Sequence, residues 1–248
     1  DTLRDLYNEL AIHAFDNVRN SIAASLHELA RILGPEISAR DLLPVSSNLF
    51  HDPSIEVTTT LLEHIDVFLG VLPVDLAKTQ LQLLPMLWFS HEPRDWRLHQ
   101  RIAMHVESLV PIILLADEDG CLVTVLHLSL HSPVHAVRQV GICAATKVYA
   151  TFLEHDAVVA DGFLGMLVDM AEVPTYRQRV TFLQIVAELV GTVPQSRFNA
   201  LLLPRLMTLT DDPVYEVRVA LARLVRRILQ SSLYPDAPPK ALLQITVR

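Results

Sequence analysis

Eleven histidines, two cysteines and a short acidic run are the residues of this 248-residue sequence whose types could do chemistry. His127, His131 and His135 stand four apart, a spacing that can align imidazoles on one helical face for a metal ion. Pro133 separates His135 from a helix carrying the other two, and no carboxylate cluster joins them. His27-Glu28 is followed by Leu29-Ala30-Arg31, so the second histidine of a zinc-hydrolase helix is absent. Asp117, Glu118 and Asp119 precede Gly120. Paired carboxylates can exchange protons in acid–base catalysis, but an acidic run also suits a helix–helix connection and the N-terminus of the next helix. Cys121 and Cys143 lie 22 positions apart and form neither a C-x-x-C pair nor a disulfide framework. Both read as buried core thiols of a reducing compartment.

The sequence contains no P-loop, no G-x-G-x-x-G and no G-x-S-x-G elbow, and spends only seven glycines. Hydrophobic residues make up 51% and charged residues 19%. Average soluble domains carry about a quarter charged residues, so disorder is excluded. The net charge is −8, and the longest basic run is Arg226-Arg227. A nucleic-acid partner, or a DNA-base-repair enzyme with a basic channel, needs the opposite balance. The longest apolar stretch, residues 109–116, is interrupted by Pro111 and falls short of the roughly 20 residues of a membrane span. The expectation is a protein that is not an enzyme, takes no cofactor or metal, and meets neither nucleic acid nor membrane. It is expected to be intracellular, in cytoplasm or nucleus. Asp1-Thr2-Leu3-Arg4 shows no initiator Met and no signal-peptide pattern, so the chain reads as a piece of a longer one.

The elements that must position these residues announce themselves through a repeat. Asp212-Pro213-Val214-Tyr215-Glu216-Val217-Arg218 has counterparts in Ser132-Pro133-Val134-His135-Ala136-Val137-Arg138 and Val173-Pro174-Thr175-Tyr176-Arg177-Gln178-Arg179. Asp52-Pro53-Ser54-Ile55-Glu56-Val57-Thr58 keeps the frame with Thr for Arg, and Glu92-Pro93-Arg94-Asp95-Trp96-Arg97 is one residue shorter. Asp16-Asn17-Val18-Arg19 opens the series without Pro. The final positions, 19, 58, 97, 138, 179 and 218, step by 39, 39, 41, 41 and 39. That period belongs to two-helix solenoid repeats. The apolar residues after each turn recur at three- and four-residue steps, as in Val217, Leu221, Leu224, Val225 and Ile228, or Ile22, Leu26, Leu29, Ala30 and Leu33.

The expected fold is therefore all-α, an α-solenoid of about six HEAT-type antiparallel helix pairs over residues 1–231. The repeats fall at about 1–36, 38–73, 75–115, 117–155, 157–192 and 195–231, and 232–248 is a tail or a partial repeat. Leu-Leu-Pro steps at Pro44, Pro85 and Pro204 sit in the first turn of a helix, with Pro85 and Pro204 alternatively kinking one that began earlier. The Asp or Ser of each turn is expected to cap the next helix, with Pro at its first position. Arg19, Arg138, Arg179 and Arg218 are expected to reach acids in neighbouring repeats and lock the stack.

Large residues occupy the variable part of the turns: Trp96, His135, Tyr176 and Tyr215, with Arg94, Arg97 and Arg177 beside them. In a repeat array such positions recur along one edge. They are either a row of binding residues, since aromatics and Arg dominate interface energetics, or covers packed on their own turns.

The repeats resemble the HEAT-repeat regulatory scaffolds of protein Ser/Thr phosphatases. The resemblance is carried by Leu33-Gly34-Pro35-Glu36, Asp41-Leu42-Leu43-Pro44-Val45, Asp95-Trp96-Arg97 and the turns ending at Arg138, Arg179 and Arg218. It implies a non-catalytic scaffold that holds a phosphatase catalytic subunit through intra-repeat turns. By match to that pattern, Trp96, Arg97, His135, Tyr176 and Val214 would face the catalytic subunit. Thr58 in the Arg position and Leu98-His99 after Trp96-Arg97 depart from the pattern. The divergence favours a 4-type catalytic subunit as partner over a 2A-type one. The alternative is an adaptor of the same architecture for a different protein partner in transport or complex assembly.

Overall fold

The computed structural model describes residues 2–116, 120–234 and 237–245, so the acidic run Asp117-Glu118-Asp119 lies outside the described residues. Among these the fold is all-α, without a strand. Its helices follow one another as pairs joined by short turns, an α-solenoid arrangement of secondary structure. The chain divides into two compact units, residues 1–137 and 138–248.

In the first unit, α1 (Thr2–Ala11) pairs with α2 (Asp16–Ile37). A π-helical turn (Ser38–Leu42) runs into α3 (Leu43–Phe50), followed by α4 (Ile55–Leu62) and α5 (Ile65–Val71). Then come α6 (Val74–Leu81), α7 (Leu83–Ser90), a 3-10 turn (Pro93–Asp95), α8 (Trp96–Ala116) and α9 (Cys121–His131). Helix α2 packs on α1, α4 and α5, and α8 on α4, α5, α6 and α9. The helical periodicity explains why: Ile22, Leu26 and Ala30 are buried along one stripe of α2. Leu33 continues that stripe in sequence yet is exposed. The reason is Gly34, whose φ of 79° breaks α2 beside it, a left-handed conformation that glycine adopts without strain.

Helix α10 (His135–His155) contains the division between the units. The second unit continues with α11 (Ala157–Asp169), α12 (Tyr176–Leu189) and α13 (Gln195–Arg197). A π-helical turn (Phe198–Leu202) leads into α14 (Leu203–Thr208), followed by α15 (Tyr215–Gln230) and α16 (Lys240–Ile245). Helix α12 packs on α15, and α16 also touches α15. Val217, Leu221, Leu224, Val225 and Ile228 are all buried on α15. Each is worth about 1.5–3 kcal/mol relative to exposure. Cys121 is buried but Cys143 is exposed. Position 143 belongs to the outer side of α10, one turn before exposed Lys147, while Ile142, Ala144 and Ala145 face inward.

The proline steps show why two helices carry π turns. Proline has no N–H and its ring collides with the carbonyl four residues back. Before Pro44 the Leu43 N–H donates to the Ser38 carbonyl, and before Pro204 the Leu203 N–H donates to that of Phe198. Widening the helix by one residue makes room for the ring. Pro85 instead follows a break at Gln82 between α6 and α7.

The turns themselves differ from the sequence expectation. Asp52 accepts from the Ser54 N–H at 2.8 Å and Asp212 from the Val214 N–H at 2.9 Å. Ser132 does the same for Val134 at 3.2 Å. These side chains close the turn two residues ahead of it rather than capping the helix, and Pro sits inside the turn rather than at the first helical position. Ser54 and Val214 occupy the N-cap positions without side-chain caps.

Candidate partner-binding turns and the arginine clamps

Two of the repeat arginines hold the same construction, one in each unit. Arg19 donates from Nε and Nη2 to the two carboxylate oxygens of Asp52, at 2.6 and 2.9 Å. Its Nη1 donates to the carbonyls of His13 and Ala14, at 2.6 and 3.2 Å. Arg179 repeats this on Asp212 at 2.6 and 3.1 Å, with Nη1 on the carbonyls of Val173 and Pro174. Both acids lie 33 residues beyond their arginine, so each fork ties one intra-repeat turn to the next. The planar guanidinium suits this bidentate geometry.

Burial opposes ionisation of the Asp52 and Asp212 carboxyls, but the arginine forks and the turn N–H groups outweigh it. Both carboxyls therefore titrate below their ordinary range. Thr58, in the arginine position of its own turn, is buried and donates to backbone carbonyls, Leu49 at 3.4 Å and Ser54 at 3.5 Å. Arg138 is half-buried, and burial followed by the nearby Arg177 charge lowers its pKa. Arg218 is exposed. Its Nη1 donates to the Asp212 carbonyl at 2.6 Å, and its guanidinium lies 5.9 Å from the Tyr215 ring centre.

The expected binding residues stand at helix starts. In the first unit, Trp96 opens α8 half-buried, and exposed Arg97 lies over its ring at 4.5 Å, a cation–π contact. Arg94 is exposed and pairs with Glu92 at 3.1 Å. His135 opens α10 and is exposed. Leu98 and His99, which depart from the family pattern, are buried. His99 stacks on Trp88 with ring centres 4.3 Å apart and contacts the Trp88 carbonyl at 3.2 Å. In the second unit, Tyr176 opens α12 with Arg177 exposed beside it. Val214 is half-buried, and Tyr215, which opens α15, is 68% exposed. Tyr215 stands between a cavity of about 640 Å³ at its own turn and a groove of about 440 Å³ along α12 and α15.

The first turn carries residues that the sequence reading passed over. Ile12 is 71% exposed and Phe15 67%. Phe15 stands four positions before Arg19, as Val214 stands before Arg218. The repeat frame contains that signal, but the first turn lacks the Pro that draws attention to the others.

The histidines pack in pairs. His127 and His131 stack with ring centres 4.0 Å apart, and His131 contacts the His127 carbonyl. His27 and His64 lie 3.9 Å apart. Burial, then the His64 charge, lowers the His27 pKa against the pull of Glu28. Among the described residues, no group of three His, Cys, Asp or Glu side chains is placed to hold a metal ion. No helix among them is long and apolar enough to cross a membrane.

The chain resembles serine/threonine-protein phosphatase 4 regulatory subunit 1. The mouse, human and rat proteins of that name are each 27% identical over 238 residues. The match covers 94% of this chain, which spans a quarter of the length of these curated relatives. No protein-family model matches. Among solved structures, an engineered protein superposes with a TM-score of 0.48 at 17% identity, covering 93% of this chain and 97% of that one. A designed armadillo repeat protein gives 0.47 at 15% identity, covering 91% and 99%.

Proposed function

We propose that this chain is part of a non-catalytic scaffold that binds a protein Ser/Thr phosphatase catalytic subunit, of the 4-type rather than the 2A-type, through its intra-repeat turns. The resemblance to phosphatase 4 regulatory subunits over 94% of the chain supports the partner class. The observation that carries the binding mode is the start of α8. There Trp96 and Arg97 form a pre-assembled cation–π pair at a turn that, among the described residues, no arginine fork ties down. An aromatic with an arginine against it, held in place before the partner arrives, is what dominant interface residues look like. His135, Tyr176, Arg177, Val214 and Tyr215 extend the same binding function at later turns. The helical pairs provide spacing and rigidity, and the chemistry stays on the catalytic subunit.

Capture experiments with purified 4-type and 2A-type catalytic subunits test this reading. The chain should retain the 4-type subunit, and Trp96→Ala should cost about 2 kcal/mol of affinity while leaving the helical spectrum unchanged. Retention of neither subunit overturns the partner. Undiminished binding by the variant removes Trp96 from the interface.

A further inference from the structure

Two imidazoles from the first two repeats meet away from the turns. His27 lies on α2, and exposed His64 sits at the break between α4 and α5, immediately before the first residue of α5. Their ring centres are 3.9 Å apart, and α2 packs on both α4 and α5. The His27 Nε2 stands 3.2 Å from Glu28 Oε1. An ionised carboxylate only accepts, so Nε2 carries the hydrogen and Nδ1 is the bare lone pair of the neutral ring. That Nδ1 is buried and has no hydrogen-bond partner among the described residues. A second proton on His27 therefore creates a buried N–H that nothing accepts and sets a cationic ring against His64. Every group in this contact is supplied by the chain itself.

We propose that the His27–His64 contact is an acid-operated latch between the first two repeats, closed while the rings are neutral and opened at the α2–α5 packing when they take up protons. Burial, followed by the His64 charge, holds the His27 pKa below 6.5, so the closed contact binds the proton less tightly than the open one. Falling pH therefore favours opening, by up to about tenfold per pH unit for each proton taken up. The ionisable groups that face His27 are Glu28 and Arg31 from α2 and His64 from the start of α5; among the described residues no such group of the other elements packed on α2 acts on it. Glu28 favours the charged ring and Arg31 opposes it, and these two pair with each other at 3.6 Å. On the far side of His64 stand Arg101 and His105 from α8, with Glu63 and Asp66 from the α4–α5 break and α5. Arg101 is paired with Glu63 at 3.5 Å. Opening thus begins at one contact, with α2 parting from α5, before the unit loosens as a whole. The latch is independent of which protein the turns bind, and it stands if the phosphatase reading fails.

The test follows the imidazole nitrogen resonances of the isotopically labelled chain from about pH 7.5 to 5, alongside amide exchange protection. His27 should read as the Nε2–H tautomer at neutral pH and titrate below 6.5. Over the same range the nuclear Overhauser contact between the two rings should vanish, and protection in α2 and α5 should fall. Glu28→Gln removes an exposed carboxylate that favours the charged ring, and should move the His27 titration and the loss of protection to lower pH together. His27→Phe keeps an aromatic ring that takes no proton, and should leave α2 and α5 several-fold better protected at the acid end than in the unaltered chain. A His27 in the Nδ1–H tautomer, or one titrating at or above 6.5, overturns the proposal. So do rings that stay in contact once His27 is charged, a Glu28→Gln titration that moves without the protection, and a His27→Phe chain that loosens like the unaltered one.

Discussion

The Asp212 turn and the Glu92 turn solve the same problem in opposite ways. Asp212 is gripped by an arginine from the preceding repeat and buried to 7% exposure, and its own N–H contact closes the turn around it. At the Glu92 turn the preceding arginine is replaced by Thr58, which satisfies itself on its own backbone. Glu92 is left at the surface beside exposed Arg94, the turn is one residue shorter, and a 3-10 turn leads directly into Trp96. Loss of the fork goes together with loss of the buried acid, and the surface gains an aromatic–arginine pair. One turn is tied to its neighbour through a buried ion pair, and the other leaves its charged side chains at the surface.

That contrast can be broken most forcefully at the fork. Asp212→Ala leaves the Arg179 guanidinium part-buried without its carboxylate, and should cost about 2–4 kcal/mol of stability in denaturant titrations. Hydrogen exchange should accelerate first in α12 and α15. An acid titration sharpens the same comparison. His27, His99, His105 and His127 all lie within residues 1–137, and burial, the leading cause for each, holds their pKa values below the ordinary 6.5. The unfolded chain therefore takes up these protons first, and their stabilising contribution is lost as pH falls below 6.5. The fork carboxylates, depressed below 3.8, keep their contribution until more acidic conditions. Exchange measured across that range should show residues 1–137 loosening before the Arg179–Asp212 fork gives way.

Smaller effects are expected at the open turn. Thr58→Val removes only long hydrogen bonds of 3.4 and 3.5 Å and keeps the shape, so thermal unfolding should report a loss under about 1 kcal/mol. Arg94→Ala breaks a pair whose side chains are 79% and 68% exposed, and the melting curve should not shift measurably.

The helical pairs were legible because Asp-Pro, Ser-Pro and Arg recur at a nearly fixed step and the apolar residues follow at helical spacing. The turn chemistry was less so. An Asp before Pro can accept from a helix N–H or from the turn ahead of it, and residue type does not distinguish Asp52 closing its turn from Asp52 capping α4. The reach of Arg19 and Arg179 across 33 residues depends on how one repeat stacks on the next, which no local pattern records. Cys143 misled for a related reason: its neighbours are apolar in sequence, but a helix turns about 100° per residue and carries it outward. Phe15 shows the reverse, an apolar residue whose place in the repeat frame outweighs its hydrophobicity.

The π turns at 38–42 and 198–202 act as phase shifters. A surplus residue rotates everything beyond it by about 100°, so one continuous helix can address two neighbours with two different stripes. The segment Phe198–Leu202 packs on α11, and Leu206, in the helix beyond it, is fully buried. Trimming a single residue from either π turn would therefore act like a gear slipped by one tooth, turning Leu206, or Leu49 in α3, away from the interior and driving the following proline ring against the carbonyl four residues back.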